Sequence, residues 1–587
     1  MTGTMKDKTR SQGTARLAPL VFNVLCCALL FNASAWAGNR KLSQDLDSSR
    51  LGSKSVDVIV QYKTTPASKH FDRAKKFGAA LKTQFGSGLN FAHYSVRADQ
   101  VGSLADDDSD ITYVSLDRDV QAHGYPAQFL AVDADLAQSR GYNGTGITVA
   151  VIDSGIGSHA DLASRVVYAQ DFTGSGTTDD QYGHGTHVAG IIAGDGTQSI
   201  CGSCFTTYMG IAPKAKLVNL KVLDKNGVGK DSNVIAAIQK AISLKSTYNI
   251  RVINLSLGRG IYESYLTDPL TQAVEQAWKA GIFVVVSAGN YGRDNSNGRN
   301  GYGTITAPGN DPYVVTVGAM RTYGTDTQTD DVITSYSSKG PTFLDHVVKP
   351  DMVAAGNKVV STLAPNAALD NLYTSTQISL STYQSTSSTS NSPYYFRLSG
   401  TSMAAPQVSG AAALLLQKTP SLTPDQLKAR LMKSSFKNLT QHSTSVDAAT
   451  GVSYDEQADI FTVGAGYLDI DAALDNTDSA SSSVGVAKSP TATYNAANGQ
   501  VTLVTGTSVV WGSSVVWGTS VVWGSSVIWG TNTSGQSVVW GSSVVWGSSS
   551  MQGFSVVWGS SCSASSVVWG SSTNATNAMS VLADGDE

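Results

Sequence analysis

Three short motifs contain residue types that together could carry out nucleophilic acyl transfer. Asp153 lies in VIDSG, His184 in GHGTH and Ser402 in GTSMAAP. A serine, a histidine and a carboxylate can act as nucleophile, general base and the group that orients the base. Each motif alone has a simpler explanation, because an aspartate after a strand can cap a turn and a serine before a helix can cap that helix. The elements around the motifs must therefore decide between these readings.

Two further observations bear on this chemistry. The segment VVVSAGN ends in Gly289 and Asn290, and an asparagine amide at a strand end could donate to a developing oxyanion. His184 and His187 have the i, i+3 spacing of a metal pair, but the glutamate and third ligand of a zinc-hydrolase helix are absent. We therefore predict no metal at this motif.

The elements that would position these residues alternate between buried strands and helices. This pattern predicts an α/β fold with a mainly parallel sheet and helices on both faces. The predicted strands are residues 147–152, 217–222, 252–257, 282–287 and 313–317, and the predicted helices are residues 184–193, 231–244, 266–280 and 403–418. In such folds functional residues collect beyond the carboxyl ends of the strands, where Asp153 and Asn290 lie.

At this point the sequence resembles the subtilisin-like serine proteases, or subtilases. The segments VAVIDSGI, GHGTHVAGIIAG, GIAPKAKL, VINLSLG, VVVSAGN, SSKGP, KPDMVAAG and GTSMAAPQVSGAAALLL match blocks of that family in the family's order. The order Asp, His, Ser along the chain is also that of subtilisin. The resemblance covers roughly residues 126–475. It implies a serine endopeptidase that hydrolyses proteins or peptides.

The resemblance also implies a role for each motif residue. Ser402 would be the nucleophile, His184 the base that takes its proton and returns it to the leaving amine, and Asp153 the group that orients the imidazole. Asn290 and the backbone N–H of Ser402 would form the oxyanion hole. His187 would be structural, because its place in the motif is not that of the base.

A short extended segment would bind the substrate backbone. Ser256, Leu257 and Gly258 follow a buried strand and resemble the edge that pairs with substrate in this family. Gly289 is assigned to the same substrate-binding group. Recognition of this kind takes its affinity from main-chain hydrogen bonds and its specificity from side-chain pockets.

The sequence pattern of the N-terminal part of the chain predicts that the protein is exported and processed. Basic residues, an apolar run at 17–31 and an Ala-Trp-Ala sequence indicate a secretory signal peptide at residues 1–37. A membrane anchor is disfavoured, because the run is short and Asn23 interrupts it. The protein is therefore expected to be secreted, extracellular or attached to the cell surface.

Residues 38–123 form a separate predicted unit. Strands at 56–62, 89–96 and 111–116 and a helix at 67–81 suggest a small α/β sandwich. This unit weakly resembles the inhibitor-like propeptides of the family, which assist folding and cover the cleft until they are cut. Cleavage is expected at the linker 121–126. The alternative is a permanently attached N-terminal domain.

The chain also departs from the family pattern. The segment GDGTQSICGSCFTTYMG lacks the asparagine-rich loop that binds calcium in several relatives, so no metal ligand is carried over. The chemistry requires no cofactor, and structural calcium remains open. Cys201 and Cys204 could close a small disulfide loop in an oxidising setting, whereas Cys562 has no explanation. A Ser/Thr-rich insertion at 362–394 predicts a surface loop near the cleft.

The C-terminal part of the chain is a repeat. Eight of the ten tryptophans recur in units such as SVVWGS, and no charged residue occurs from Ser489 to Ala583. Strand-forming residues followed by Gly-Ser or Gly-Thr predict short strands joined by tight turns, with Val509 and Trp511 on one face and Val510 on the other. Such an uncharged array favours attachment to a surface or matrix, or self-association. A flexible low-complexity tail is the alternative.

These observations give one domain order and two candidate functions. The predicted units are a signal peptide at 1–37, a propeptide at 38–123, a peptidase domain at 124–475, a linker at 476–506 and a repeat tail at 507–587. The net charge of −4 provides no basic surface for nucleic acid. The leading reading is a secreted, self-processed serine endopeptidase. The alternative is a surface adhesin or self-assembling protein whose protease-like domain serves only processing.

Overall fold

The computed structural model describes most of the chain between residues 41 and 495 and a few short pieces beyond it. The described residues are 41–43, 46, 51–86, 88–122, 130–294, 301–325, 327–478, 480–495, 500–504, 526–529, 538–541, 544–545, 581 and 584–587. The predicted signal peptide, Cys562 and the face assignments of Val509, Val510 and Trp511 lie outside these residues.

The N-terminal unit is a four-stranded antiparallel sheet covered by two helices. Its strands are β1 (Ser55–Tyr62), β2 (Ala80–Gln84), β3 (Phe91–Arg97) and β4 (Ile111–Leu116), in the order β2-β3-β1-β4, and its helices are α1 (Ser68–Lys76) and α2 (Ala98–Asp107). The predicted extension of the first helix to residue 81 is wrong. The helix ends at Lys76, the chain turns at Gly78 with φ of 74°, and β2 follows.

A central sheet of eight strands forms the core of the following domain. Its parallel strands, from one edge to the other, are β7 (Val166–Asp171), β8 (Lys216–Lys221), β6 (Thr148–Asp153), β10 (Ile250–Leu255), β12 (Phe283–Ser287), β13 (Val315–Arg321) and β15 (Met352–Ala355). A short antiparallel strand, β14 (Val332–Ile333), also pairs with β13. The predicted mainly parallel sheet is confirmed, and its central strands β6, β10 and β12 are almost wholly buried, as expected when helices cover both faces, whereas the edge strand β7 is partly exposed.

The structure describes eight helices in this domain, and four of them form two packed pairs. The helices of the domain are α3 (Ala134–Ser139), α4 (His184–Ala193), α5 (Asp231–Tyr248), α6 (Pro269–Lys279), α7 (Ala368–Leu372), α8 (Thr401–Lys418), α9 (Pro424–Ser434) and α10 (Ile470–Asp475). Helix α4 packs on α8, and α5 packs on α6. Helix α4 has the limits that the sequence predicts, while α8 begins two residues earlier than predicted, so that Ser402 lies within its first turn.

The remaining strands form smaller sheets. They are β5 (Asp119–Ala122), β9 (Val228–Lys230) and β11 (Leu257–Gly258) in one sheet; β16 (Val359–Thr362), β17 (Gln377–Ser379) and β18 (Asn391–Leu398) in a second; and β19 (His442–Val446) with β20 (Ser453–Gln457) in a third. A fourth, antiparallel sheet has the order β21-β22-β25-β24-β23, with β21 (Thr491–Asn495), β22 (Gln500–Val504), β23 (Ser526–Trp529), β24 (Val538–Gly541) and β25 (Val544–Val545). Three of its strands belong to the repeat tail.

Single 3-10 turns lie at Leu130–Val132, Ala160–Leu162, Thr197–Ser199, Thr374–Thr376 and Leu380–Thr382. Among the described residues, none of the helices combines the length and apolar character that a membrane span requires.

A buried charge cluster joins the core to the segment that follows it. Asp351 accepts from the Nζ of Lys349 at 2.7 Å, and its other oxygen lies 3.0 Å from the Nζ of Lys428. Ser489, inside the predicted linker, donates to the same carboxylate at 2.5 Å. Burial lowers the pKa of Lys349 to about 7, although the charge of Asp351 opposes this. The two ammonium groups therefore share Asp351 as their contacting carboxylate, while the buried Asp311 acts on both from a longer distance.

Removing that carboxylate charge tests the cluster. We expect Asp351→Asn to lower the free energy of unfolding by about 3 to 5 kcal/mol, because both buried lysines lose their counter-ion. The measurement is the midpoint of urea-induced unfolding. The matched control is Asp455→Asn at an exposed position whose carboxylate accepts from Thr444 at 3.2 Å, where a change within about 0.5 kcal/mol is expected. Equal midpoints for the two variants would contradict the role of Asp351.

Candidate active site

The end of strand β6 and the start of helix α4 meet at Asp153 and His184. The Nδ1 atom of His184 lies 2.8 Å from the Oδ1 atom of Asp153, and both side chains are buried. The same carboxylate oxygen accepts from the backbone N–H of Ser154 at 2.7 Å. The carboxylate is therefore fixed by its own turn and can orient the imidazole ring.

Gly185 permits this close contact. A Cβ atom at position 185 would lie 2.2 Å from the carbonyl oxygen of Gly155 and 3.1 Å from the Cβ of Asp153. Any side chain there would push α4 away from the end of β6. The glycine after His184 in the GHGTH motif is thus required by packing.

A second buried carboxylate, Asp180, connects the same two elements. One of its oxygens accepts from the Oγ of Ser154 at 2.8 Å and from the N–H of Gly183 at 2.7 Å, and the other accepts from the N–H and Oγ1 of Thr186, both at 2.7 Å. Burial raises the pKa of Asp180, although the backbone donors of Gly183 and Thr186 oppose this. Asp180 thus satisfies orphan N–H groups at the start of α4. Sequence reasoning missed it.

Ser402 lies in the first turn of helix α8 and is buried. Its Oγ donates to the carbonyl of Ser256 at 3.1 Å, and the Oγ of Ser256 donates to the carbonyl of Ser402 at 2.8 Å. These reciprocal bonds place Ser402 beside the predicted substrate edge. Helix α8, which begins next to Ser402, packs on helix α4, which begins at His184.

Asn290 is anchored to the residue before the serine. Its Oδ1 accepts from the N–H of Thr401 at 3.1 Å and from the Oγ1 of Thr401 at 3.0 Å. The Oγ1 of Thr401 in turn accepts from the N–H of Gly289 at 3.1 Å. With its oxygen engaged in this way, the Nδ2 group of Asn290 is the part of the amide that remains to donate elsewhere.

The predicted substrate edge is paired with a segment of the N-terminal unit. Strand β11 pairs antiparallel with β5, with Leu257 opposite Ala122 and Gly258 opposite Gln121. Strand β9 pairs with the other side of β5. Residues 119–122 therefore form the middle strand between two edges of the peptidase domain, which is the arrangement of a peptide bound by β-augmentation.

A buried charge cluster fixes the register of that middle strand. Arg118 donates to Glu263 at 2.6 Å, and Asp117 accepts from the N–H of Ser232 at 2.6 Å. Burial raises the pKa of Glu263 to about 7, although the charge of Arg118 opposes this. The backbone carbonyl of Arg118 also accepts from the N–H of Asp231 at 2.7 Å. These contacts were not predicted from the sequence, because nothing in the local pattern marks them.

His187 lies in the core. Its Nε2 atom is 3.2 Å from the carbonyl oxygen of Val359, and its ring meets that of Phe396 edge-on at 5.1 Å. Burial lowers its pKa well below the ordinary value, and the nearby charge of His184 adds to this effect. These surroundings are those of a packed neutral ring, which agrees with the structural role expected for it.

The Ser/Thr-rich insertion lies against the residues that precede His184. The N–H groups of Ala368 and Leu369 donate to the carbonyls of Gln181 and Tyr182 at 3.0 and 3.1 Å. Cys201 and Cys204 are joined by a disulfide, and this loop pairs with the insertion, since Phe205 N–H donates to the carbonyl of Tyr383 at 2.9 Å. The insertion and the disulfide loop thus form one wall beside α4.

Residues 144–466 match the model of the Subtilase family. The chain belongs to the subtilase family. It is 34% identical over 396 residues to serine protease AprX of Bacillus subtilis (strain 168), covering 65% of this chain and 84% of AprX. It is also 34% identical over 303 residues to subtilisin DY of Bacillus licheniformis, covering 51% of this chain and 87% of that protein.

A solved structure shows the same fold. Fervidolysin from Fervidobacterium pennivorans, a keratinolytic enzyme related to subtilisin, aligns with a TM-score of 0.53 at 22% sequence identity. The alignment covers 72% of this chain and 61% of fervidolysin. The family match and the two relatives, rather than this likeness of fold, identify this subtilase as a subtilisin-like serine endopeptidase.

The Asp180 network leads to a prediction for this subtilase. In Asp180→Asn an amide NH₂ must face backbone N–H donors, which would displace the start of α4 and with it His184. A displacement of about 1 Å can cost about 10²-fold in rate, so we expect kcat on a peptide substrate to fall by about 10- to 100-fold. Asp179→Asn, at the exposed neighbouring position, is the matched control and should keep its kcat. An unchanged kcat in Asp180→Asn would show that the network does not position the ring.

Proposed function

We propose that the protein is a secreted endopeptidase, made as a precursor, in which Asp153, His184 and Ser402 form the catalytic triad. The observation that carries the proposal is the 2.8 Å contact between His184 and Asp153. It is supported by the substrate-like strand at 119–122, which pairs with β11 next to Ser256, the residue that bonds to Ser402. Secretion rests on the signal-peptide pattern at residues 1–37. Each chemical step uses only protein groups and water, so no cofactor is required.

The first half of the reaction uses the contacts around Ser402. The Asp153 carboxylate accepts from Nδ1–H of His184, which leaves Nε2 as the basic nitrogen. In the proposed step the hydroxyl of Ser402 leaves the Ser256 carbonyl and donates to Nε2 of His184. The oxygen then attacks the scissile carbonyl while the imidazole takes the proton.

The charge that develops on the carbonyl oxygen needs donors. The Nδ2 group of Asn290 and the N–H of Ser402, near a helix N-terminus, are suited to this because both dipoles are fixed before the reaction. Collapse of the intermediate breaks the peptide bond, and the imidazolium gives its proton to the leaving amine. Water then attacks the acyl-enzyme with His184 again acting as base.

The N-terminal unit is proposed to be an inhibitory propeptide. Its last strand, β5, occupies the place of a substrate between β9 and β11, and Ile59, Phe85, Leu89 and Phe91 join the hydrophobic core of the peptidase domain. Cleavage after β5, in the linker that continues to residue 126, would free the cleft. The proposed substrates are proteins or peptides that can replace β5 as the middle strand.

The repeat tail is proposed to contact a surface or matrix. From Ser489 to Ala583 the chain has no charged residue, and three repeat segments extend a sheet as β23, β24 and β25. Uncharged β-structure with tryptophan in each unit favours apolar association over solvation. The tail would thus localise the enzyme rather than take part in hydrolysis.

The oxyanion assignment can be tested by removing the amide. We expect Asn290→Ala to lower kcat by about 10²- to 10³-fold with little change in KM, because the bond is made mainly in the transition state. Steady-state kinetics on a chromogenic peptide give both constants. Asn438→Ala, at an exposed position, serves as the control. An effect confined to KM would contradict the assignment.

The nucleophile and self-processing can be separated in one variant. Ser402→Ala should abolish casein hydrolysis and leave the chain uncut between residues 117 and 126, because both cleavages use the same hydroxyl. The measurements are the release of soluble peptides from casein and the mass of the secreted protein, which shows where its N-terminus lies. Ser421→Ala, at an exposed position, is the control. Retained casein hydrolysis would end the triad assignment. An inactive but trimmed chain would assign the processing to another protease.

A further inference from the structure

Residues 581 and 584–587, at the end of the segment predicted as the repeat tail, pack against the peptidase domain. Val581 is 2% exposed and belongs to the main hydrophobic core, and Asp586 is completely buried. In sequence these residues also stand out, because Asp584, Asp586 and Glu587 are the first charged residues after Lys488. Aspartate side chains are almost never fully buried unless they are paired.

The carboxylate of Asp586 has a full set of partners. One oxygen accepts from Nη2 of Arg293 at 2.5 Å and from the Oγ of Ser335 at 2.8 Å, and the other accepts from the N–H of Ser335 at 2.7 Å. Arg293 also lies 2.9 Å from the carboxylate of Asp447, so its charge is shared between two acids. Charge-assisted bonds of this kind are the strong ones in proteins.

The backbone of the same segment is recognised as well. The side-chain amide of Asn357 donates to the carbonyl of Asp586 and accepts from its N–H, both at 3.0 Å. The N–H of Glu587 donates to the carbonyl of Val446 at 3.0 Å. A Cβ atom at Gly585 would lie 2.4 Å from the Oγ of Ser399, so only glycine fits there. The domain thus contacts both the side chain of Asp586 and the backbone around it.

We propose that Arg293, Ser335, Asn357, Ser399 and Val446 form a receptor groove for the chain's own C-terminal peptide, Gly585-Asp586-Glu587. The linker that precedes the tail is attached to the same domain, because the N–H of Ala492 donates to the carbonyl of His346 at 2.8 Å. The chain between Ala492 and Val581, here called the closed loop, is therefore attached to the domain at both ends. One of the groove residues, Ser399, lies three residues before Ser402.

The closed loop is tested by cutting it. A recognition sequence for a site-specific protease is inserted within residues 571–576 of the full-length Ser402→Ala chain, which prevents self-digestion. After cleavage and native gel filtration, we expect the C-terminal peptide to stay with the large fragment, as detected by mass spectrometry. In Asp586→Asn the dissociation constant of the peptide should rise by about tenfold or more, so that less peptide stays with the large fragment. The control Asp584→Asn should retain the peptide. Equal release from all three proteins would overturn the proposal.

Two measurements on the uncut chain complete the test. Asp586→Asn should lower the apparent Tm by about 5 °C or more and Asp584→Asn should leave it within about 1 °C, because only the first variant weakens the pairing of Arg293. Gel filtration should give a monomer at every concentration. Oligomers that disappear in Asp586→Asn would place the peptide in the groove of a second copy and overturn the closed loop. The readouts are binding and stability, so they do not depend on the triad.

Discussion

The geometry of the site depends on how closely helix α4 approaches the end of strand β6. The contact between His184 and Asp153 exists only because Gly185 adds no side chain between the two elements. Asp180 then supplies acceptors to the first N–H groups of α4 and to the Ser154 hydroxyl, so the strand end and the helix start share one buried anion. In the proposed mechanism, preorganisation of this kind removes the cost of orienting the base at each turnover.

The sequence was informative where the signal is local. Hydrophobic runs and helix starts predicted the central strands and the limits of α4, and glycine-rich motifs marked the strand ends where Asp153 and Asn290 lie. The prediction was wrong at α1, where a turn at Gly78 and an exposed strand β2 replace the last helical turn. Exposed short strands have no buried face and therefore no periodic pattern.

Contacts between distant residues could not be predicted in the same way. Arg118 meets Glu263 across 145 positions, and Asp586 meets Ser335 across 251. Nothing near either residue in the sequence names its partner. Asp180 lies closer to its partners, and an acidic residue just before a helix start was a signal that could have been used. Because buried ion pairs carry a large desolvation cost, the pair between Arg118 and Glu263 is weak evidence for stability.

The position of β5 has a consequence for what the enzyme could cut once the proposed propeptide has been removed. Without residues 119–122, strands β9 and β11 would face each other across a gap one strand wide. A helix or an already paired strand does not fit such a gap, because its main-chain groups are engaged. A substrate must first give up its own secondary structure over several residues, at a free-energy cost set by its local stability. The enzyme would thus select substrates first by how easily a segment unfolds locally and only then by its side chains. Proteins without such a segment would not be cut.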